Sequence, residues 1–500
     1  MSIRTKATAA VASAAAMTLF AGAALAASPG APGVGDPYFP TYGNGGYDVS
    51  HYDIRLNYNP NGDQLSGTTT ILAKATQDLT QFNLDFLLKV KSVRVNNVPS
   101  SFVSDNGELT LTPRGGVRKG QDLTIVVTYA DSPSTVKDRN GFTAWTKTAD
   151  GALAIGEPEI SAWWYPSNDH PTDKATFDVN VAVPNGVEAI SNGTFVGQTR
   201  QINGYTRWNW RSTKPQATYL TFLTIGQFEI RQSTTPSGQP SVNAYSERLG
   251  DNADAAKASI ERTPEINEFL AENLGPYPFE AQGGVVTPDL GYALENQTRP
   301  TYDTAFFRRG ANTYVVAHEL GHQWFGDSVS VHHWRDIWLN EGFASYMEFL
   351  WSEHIGEGTA QENADFTYDS YPADSEFWNV LPGDPGASNV FDGAVYDRGA
   401  LAVHALRVAV GDEKFFEILR TWVAEKKYSD ATVEEFIALA ERVSGQQLDQ
   451  VFQTWLFTKG KPAQAPGRSA DVASKSLSVA AEPKSRAKIK LTHELLDAHK

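Results

Sequence analysis

His318-Glu319-Leu320-Gly321-His322 is followed, after 18 intervening residues, by Glu341 within Trp338-Leu339-Asn340-Glu341-Gly342-Phe343-Ala344. The first stretch fits the pattern H-E-x-x-H. On a helix the two histidines, four residues apart, set their imidazoles on one face, one turn apart. Two such nitrogens hold one zinc ion at about 2.0–2.1 Å. Glu319 is rotated away from that pair, so its carboxylate is free to act on a water beside the metal. The plain alternative is a surface helix that happens to carry these residues. The flanks speak against it: Tyr314-Val315-Val316-Ala317 precedes the motif and Trp324-Phe325 follows it. A half-buried helix rarely carries two histidines and a glutamate without a use.

A catalytic zinc needs three protein ligands and one open position. Glu341 is the candidate third ligand, because it opens a second helical pattern, 341–354, that would pack beside the first. Taken alone, Glu341 reads better as a helix-start carboxylate stabilising the dipole; the motif before it reverses that reading.

Outward from this pair, further helical spacing covers 253–274, 313–325, 399–410, 413–426 and 433–443. Residues 52–230 alternate apolar and polar positions instead, as at 53–58, 123–129, 175–183 and 219–230. Turn material such as Asn61-Gly62, Asn106-Gly107 and Asn192-Gly193 separates these runs. The expected order is an extended lead-in over 27–48, a β domain over 49–240, a mainly helical domain over 241–462 and a tail over 463–500. No role is assigned to the basic stretch that begins at Lys484.

The start of the chain reads as an export signal. Arg4 and Lys6 precede an Ala-rich apolar stretch, and Ala24-Leu25-Ala26 gives a small-x-small cleavage site with Ala27 as the new start. Nothing later approaches a membrane-spanning run, so the expectation is a secreted protein with no stable membrane insertion. Five hundred residues at 41% hydrophobic and 20% charged describe a globular chain of two or three domains. A net charge of −16 argues against nucleic acid as a partner. The absence of cysteine excludes disulfides, thiolate ligands and cysteine nucleophiles, leaving His, Asp and Glu to bind any metal.

With its flanks, including Gln323-Trp324-Phe325-Gly326-Asp327, the motif pair resembles the M1 family of zinc aminopeptidases, over about 36–462. The resemblance implies an α+β fold: an N-terminal all-β, saddle-like domain followed by a mainly helical, thermolysin-like zinc catalytic domain. It implies one Zn2+ per chain on His318, His322 and Glu341, with Glu319 as general base. The family's Gly-Ala-Met-Glu-Asn segment stands here as Tyr292-Ala293-Leu294-Glu295-Asn296. Glu295 and Asn296 match it as substrate-binding residues; Tyr292 and Leu294 depart, which bears on side-chain preference. Glu157, twelve residues before Asp169, matches a second group near the substrate amine. Tyr396 in Val395-Tyr396-Asp397-Arg398 matches the tyrosine that stabilises the transition state. Asp327 and Asn340 are candidates for orienting the ligands. With only about 40 residues after Gly460, the chain looks like a short, two-domain member.

The resemblance therefore implies an aminopeptidase acting on peptides with a free N-terminus. A zinc endopeptidase shares the ligand set but has no need of Glu295, and a catalytically silent peptide binder has no need of Glu319.

Overall fold

The computed structural model describes residues 27–468 and 482–496. The expected export segment 1–26 lies outside the described residues, as do 469–481 and 497–500.

Alternation builds the N-terminal domain. Strand Tyr47–Asn59 buries Tyr52, Ile54, Leu56 and Tyr58 completely and turns Arg55 and Asn57 outward, the period of two that a sheet with one covered face requires. It pairs antiparallel with Gln64–Ala75 and parallel with Ala175–Pro184, inside an eight-stranded sheet. Two four-stranded sheets complete the domain. Its shared apolar cluster holds Trp145, Trp163, Trp164 and Trp210.

The second half opens on a sheet. Five strands stand in the order Phe228–Thr234, Pro240–Ser246, Gln282–Thr287, Thr301–Asp303 and Ala293–Leu294. The hairpin of the first two straddles the expected division at 240/241. Ala293–Leu294 forms one edge, paired only with Thr301–Asp303. The chain leaves this edge directly into Glu295.

Helices follow. The pattern over 253–274 divides into α1 (Ala253–Ile260) and α2 (Thr263–Leu274), with Pro264 in the first turn of α2. Proline has no N–H to continue α1, and its ring would strike the carbonyl four residues back. Then come α3 (Thr313–Gly321), α4 (Trp338–His354), α5 (Ala360–Ser370), α6 (Gly399–Val410), α7 (Asp412–Glu425), α8 (Val433–Ser444), α9 (Asp449–Leu456) and α10 (Arg486–Leu496). Every residue of α4 from Trp338 to Ser352 is buried, the mark of a helix with neighbours on all sides. It packs on α3 and on α6. At the second contact a Cβ on Gly399 would lie 3.0 Å from the Gly342 Cα, so only glycine permits the approach. The Trp338 indole N–H donates to the Gly399 carbonyl at 3.1 Å across the seam. Among the described residues no helix is long and apolar enough to cross a membrane.

Candidate active site

The side chain of Asn312 caps α3 by accepting from the Tyr314 N–H, which fixes where the helix starts and hence which face carries His318. The helix ends at Gly321, earlier than the expected 325. His322, the residue just after it, keeps helical angles (φ −59°, ψ −27°), so it still stacks below His318. The chain then turns through Gly326 at φ +129°, where a Cβ would lie 3.3 Å from His322 Nδ1 and from the Asn340 amide.

α4 brings Glu341 in its first turn against this pair. Nε2 of His318 and Nε2 of His322 each lie 3.4 Å from Glu341 Oε2. A tetrahedral ion with bonds of about 2.1 Å separates its ligands by about 3.4 Å, so the three atoms are spaced for one zinc. The other nitrogens point away: His318 Nδ1 lies 2.8 Å from Glu348 Oε1 and His322 Nδ1 lies 3.1 Å from the Phe325 carbonyl. Each Nδ1 therefore carries the proton and leaves the Nε2 lone pair to a metal. All three side chains are buried.

The electrostatics also ask for a cation. Burial alone would raise the Glu341 carboxyl, but His322 and His318 outweigh it and hold it near about 2. Burial alone would depress His318; the carboxylates of Glu341 and Glu348 outweigh that and raise it. Burial pushes Glu319 up to about 8 and raises Glu295 and Glu157 as well, Glu157 further through the charge of Glu295. Glu319 Oε1 and Glu157 Oε1 have no hydrogen-bond partner among the described residues. Crowded buried carboxylates with unpaired oxygens fit a positive ion and a cationic ligand. Two nitrogens and one carboxylate oxygen are a zinc donor set.

The remaining expected residues divide. Glu295 is buried, and one of its oxygens lies within 4.8 Å of ligand atoms of both Glu319 and His322. The Tyr219 hydroxyl donates to it at 3.1 Å. Glu157, partly buried, lines a cavity of about 550 Å³ together with Tyr292, Leu294 and Tyr396. Tyr396 sits in a π-helical turn, Ala394–Arg398, just before α6; such turns recur at functional sites. Its ring lies 6.0 Å from that of His318 and nearly parallel to it, at 17°.

Asn296 is engaged within the fold. It is fully buried, its Nδ2 donates to the Leu220 carbonyl at 3.2 Å and its Oδ1 accepts from the Thr301 hydroxyl. Both ends of its amide are spent on the fold, where it holds the segment that presents Glu295. The expectation that Asp327 and Asn340 orient the ligands is corrected. None of their side-chain oxygens or nitrogens has a hydrogen-bond partner among the described residues, and the imidazoles are oriented by Glu348 and the Phe325 carbonyl. Glu348 carries a signal that sequence reasoning passes over: it stands seven residues after Glu341, two turns on and on the same face of α4. His493, 2.8 Å from Glu348 Oε1, carries none.

Comparison with known proteins follows the same division. The β domain matches the Peptidase M1 N-terminal domain over 49–220, and the helical half matches the Peptidase family M1 domain over 260–455. An M1 zinc metallopeptidase from Deinococcus radiodurans superposes with a TM-score of 0.77 at 30% identity, covering 87% of this chain and 98% of that one. The chain belongs to peptidase family M1. A variant of the Deinococcus M1 protein, 30% identical with the same TM-score and 99% covered, was solved bound to a Tyr-Ser-Ala substrate; 87% of this chain is covered. Among curated M1 relatives, the glutamyl aminopeptidase of Rattus norvegicus is 26% identical over 454 residues, covering 82% of this chain and 47% of that protein. This M1 chain thus spans about half the length of the curated relatives it matches. Membership in M1 gives the ion as zinc, one per chain.

Proposed function

We propose that this chain is a zinc-dependent aminopeptidase that removes residues from peptides with a free N-terminus. The observation that carries the reading is the placement of Glu295 within 4.8 Å of Glu319 and His322, with Glu157 near enough for its charge to be felt. A substrate ammonium set between these carboxylates lies a single residue from the metal-binding atoms. An internal segment would offer them a neutral amide and leave buried charge unpaired, at a cost of several kcal/mol.

His318, His322 and Glu341 would hold the zinc, which when bound would supply Lewis acidity toward a water and the scissile carbonyl. Glu319 takes a proton at its carboxylate and passes it to the departing amine nitrogen. Tyr396 donates its hydroxyl hydrogen to the carbonyl oxygen as charge builds there. Burial suits Glu319 to the task, because it disfavours the bare charge and so makes the carboxylate a stronger proton acceptor. Ile155, Leu290, Tyr292, Leu294 and Phe391 line the cavity beyond the carboxylates, which favours an uncharged, bulky first residue.

The test compares matched fluorogenic peptides with free and acetylated ends. Cleavage of the free form alone, abolished by a chelator and restored by zinc, is expected. Equal cleavage of the acetylated form would make the chain an endopeptidase. The proposal extends to export: Arg4, Lys6 and the Ala-rich stretch to Ala26 support secretion, and Ala27 is the expected first residue of protein recovered from the culture medium.

A further inference from the structure

The segment left without a role, α10, returns from the far end of the chain to the metal site. It lies beyond both spans matched to M1 domains, 49–220 and 260–455. Its docking is built, not incidental. Ile489 and Leu491 are buried. The Ser485 hydroxyl donates to Asn363 Oδ1 at 3.0 Å, and Arg486 donates to the hydroxyls of Thr367 and Ser370 on α5. Asn312, the cap of α3, donates its side-chain amide to the Thr492 hydroxyl at 3.1 Å. Leu496 lines the same cavity as Glu157 and Tyr396.

His493 stands at the centre of this contact, 11% exposed. Its Nε2 lies 2.8 Å from Glu348 Oε1 and its Nδ1 lies 2.7 Å from Asp397 Oδ1. Each carboxylate has a second partner. Glu348 Oε1 also faces His318 Nδ1 at 2.8 Å, and Asp397, next to Tyr396, also accepts from the Tyr371 hydroxyl. One imidazole thus joins the carboxylate that orients a zinc ligand to the one that anchors the π-turn of Tyr396.

We propose that His493 is a positioning residue, through which α10 couples the orientation of His318 to the placement of Tyr396. With both ring N–H groups donating, it fixes Glu348 and Asp397 at once. Glu348 Oε2 has no partner among the described residues, so without His493 the carboxylate keeps His318 alone and is free to rotate. Outer-sphere partners of this kind typically change metal affinity or activity by about 10–100-fold when removed. The role in turnover rests on the aminopeptidase reading above; the role at the metal does not.

The experiment is His493→Gln in the full chain, with Lys490→Ala as control, since Lys490 is exposed on the same helix. Zinc affinity is read by competition with a chromophoric chelator, and the ligand environment by the visible spectrum of the Co2+-substituted protein. The expected result is a zinc affinity lower by about 10–100-fold and a shifted Co2+ spectrum, with kcat down by a similar factor and KM little changed. Lys490→Ala should match the parent in all four. Zinc affinity and Co2+ spectrum both unchanged in His493→Gln would overturn the proposal, whether or not the chain hydrolyses any peptide. Should His493→Gln fail to fold, His493→Arg keeps two donors and the charge. A folded Arg variant with near-parental zinc binding supports the proposal, and one as weak as metal-site loss predicts counts against it.

Discussion

The metal-holding half of the site and the half proposed to meet the substrate are assembled in opposite ways. His318, His322, Glu341 and Glu348 come from two adjacent segments, α3 with its final turn and α4, that pack directly on one another. Glu157 comes from a loop of the β domain, Glu295 from the end of an edge strand and Tyr396 from a π-turn before α6. Helix geometry sets each pair of the first constellation, since residues four or seven apart share a face, and one helix–helix contact joins the pairs. Only the packing of two domains produces the second. On the proposed function, the difference teaches that the metal centre is assembled locally, whereas selectivity for a chain end would be a tertiary property, open to change without disturbing the metal.

The largest expected effect tests that independence. Glu319→Gln keeps the shape but removes the negative charge and the proton acceptor, so kcat should fall by about 10²–10⁴-fold or more while bound zinc stays at one per chain by atomic absorption. Loss of zinc in this variant would break the comparison, because Glu319 would then belong to the holding set. Tyr396→Phe comes next. Removing one donor to the developing oxyanion costs about 2.7–4 kcal/mol, or roughly 10²–10³ in kcat, with KM nearly constant. A rise in KM alone would place the phenol against the substrate ground state instead.

The same division decides which features are legible in the amino-acid sequence. The metal half is legible because its spacing is a helical property, and the strands of the β domain because alternation survives wherever one face is covered. The start of the five-stranded sheet is not legible. Gln282–Thr287 is buried along its whole length, so it shows no alternation, and the hairpin from Phe228 resembles the strands that precede it. The true supports of the imidazoles are partly hidden. Glu348 has the right spacing, but His493 is brought in by α10 from 145 positions along the chain, a distance no local pattern spans. The hydrogen bonds of Asn296 are hidden too, because a match of residue type carries no information on which way an amide faces.

The smallest expected effects separate Glu157 from its neighbour Glu159, whose closeness in sequence makes them easy to exchange. Glu159 Oε1 accepts from the Tyr42 hydroxyl at 2.9 Å, a contact within the β-domain side of the cavity, while Glu157 feels Glu295. Glu157→Gln should therefore lower kcat/KM for free-amine peptides by roughly tenfold, about the size of one lost ion-pair interaction. Glu159→Gln should leave it within about twofold. Stability responds the other way. Burial first, and Asp169 second, push the Glu159 carboxyl up to about 7 from an ordinary 4.5. A carboxyl whose folded value is raised binds its proton more tightly when folded, so its favourable contribution is complete below about pH 4.5 and is lost as pH rises through 7. Glutamine does not titrate and its carbonyl can still accept from Tyr42. The melting temperature of Glu159→Gln relative to the parent should thus climb between pH 4.5 and 7 and level off above, by a few degrees for an effect of about 1 kcal/mol. A difference that is flat with pH would mean that Glu159 is ionised in the folded protein throughout, and would return it to contention as the carboxylate that meets the substrate amine.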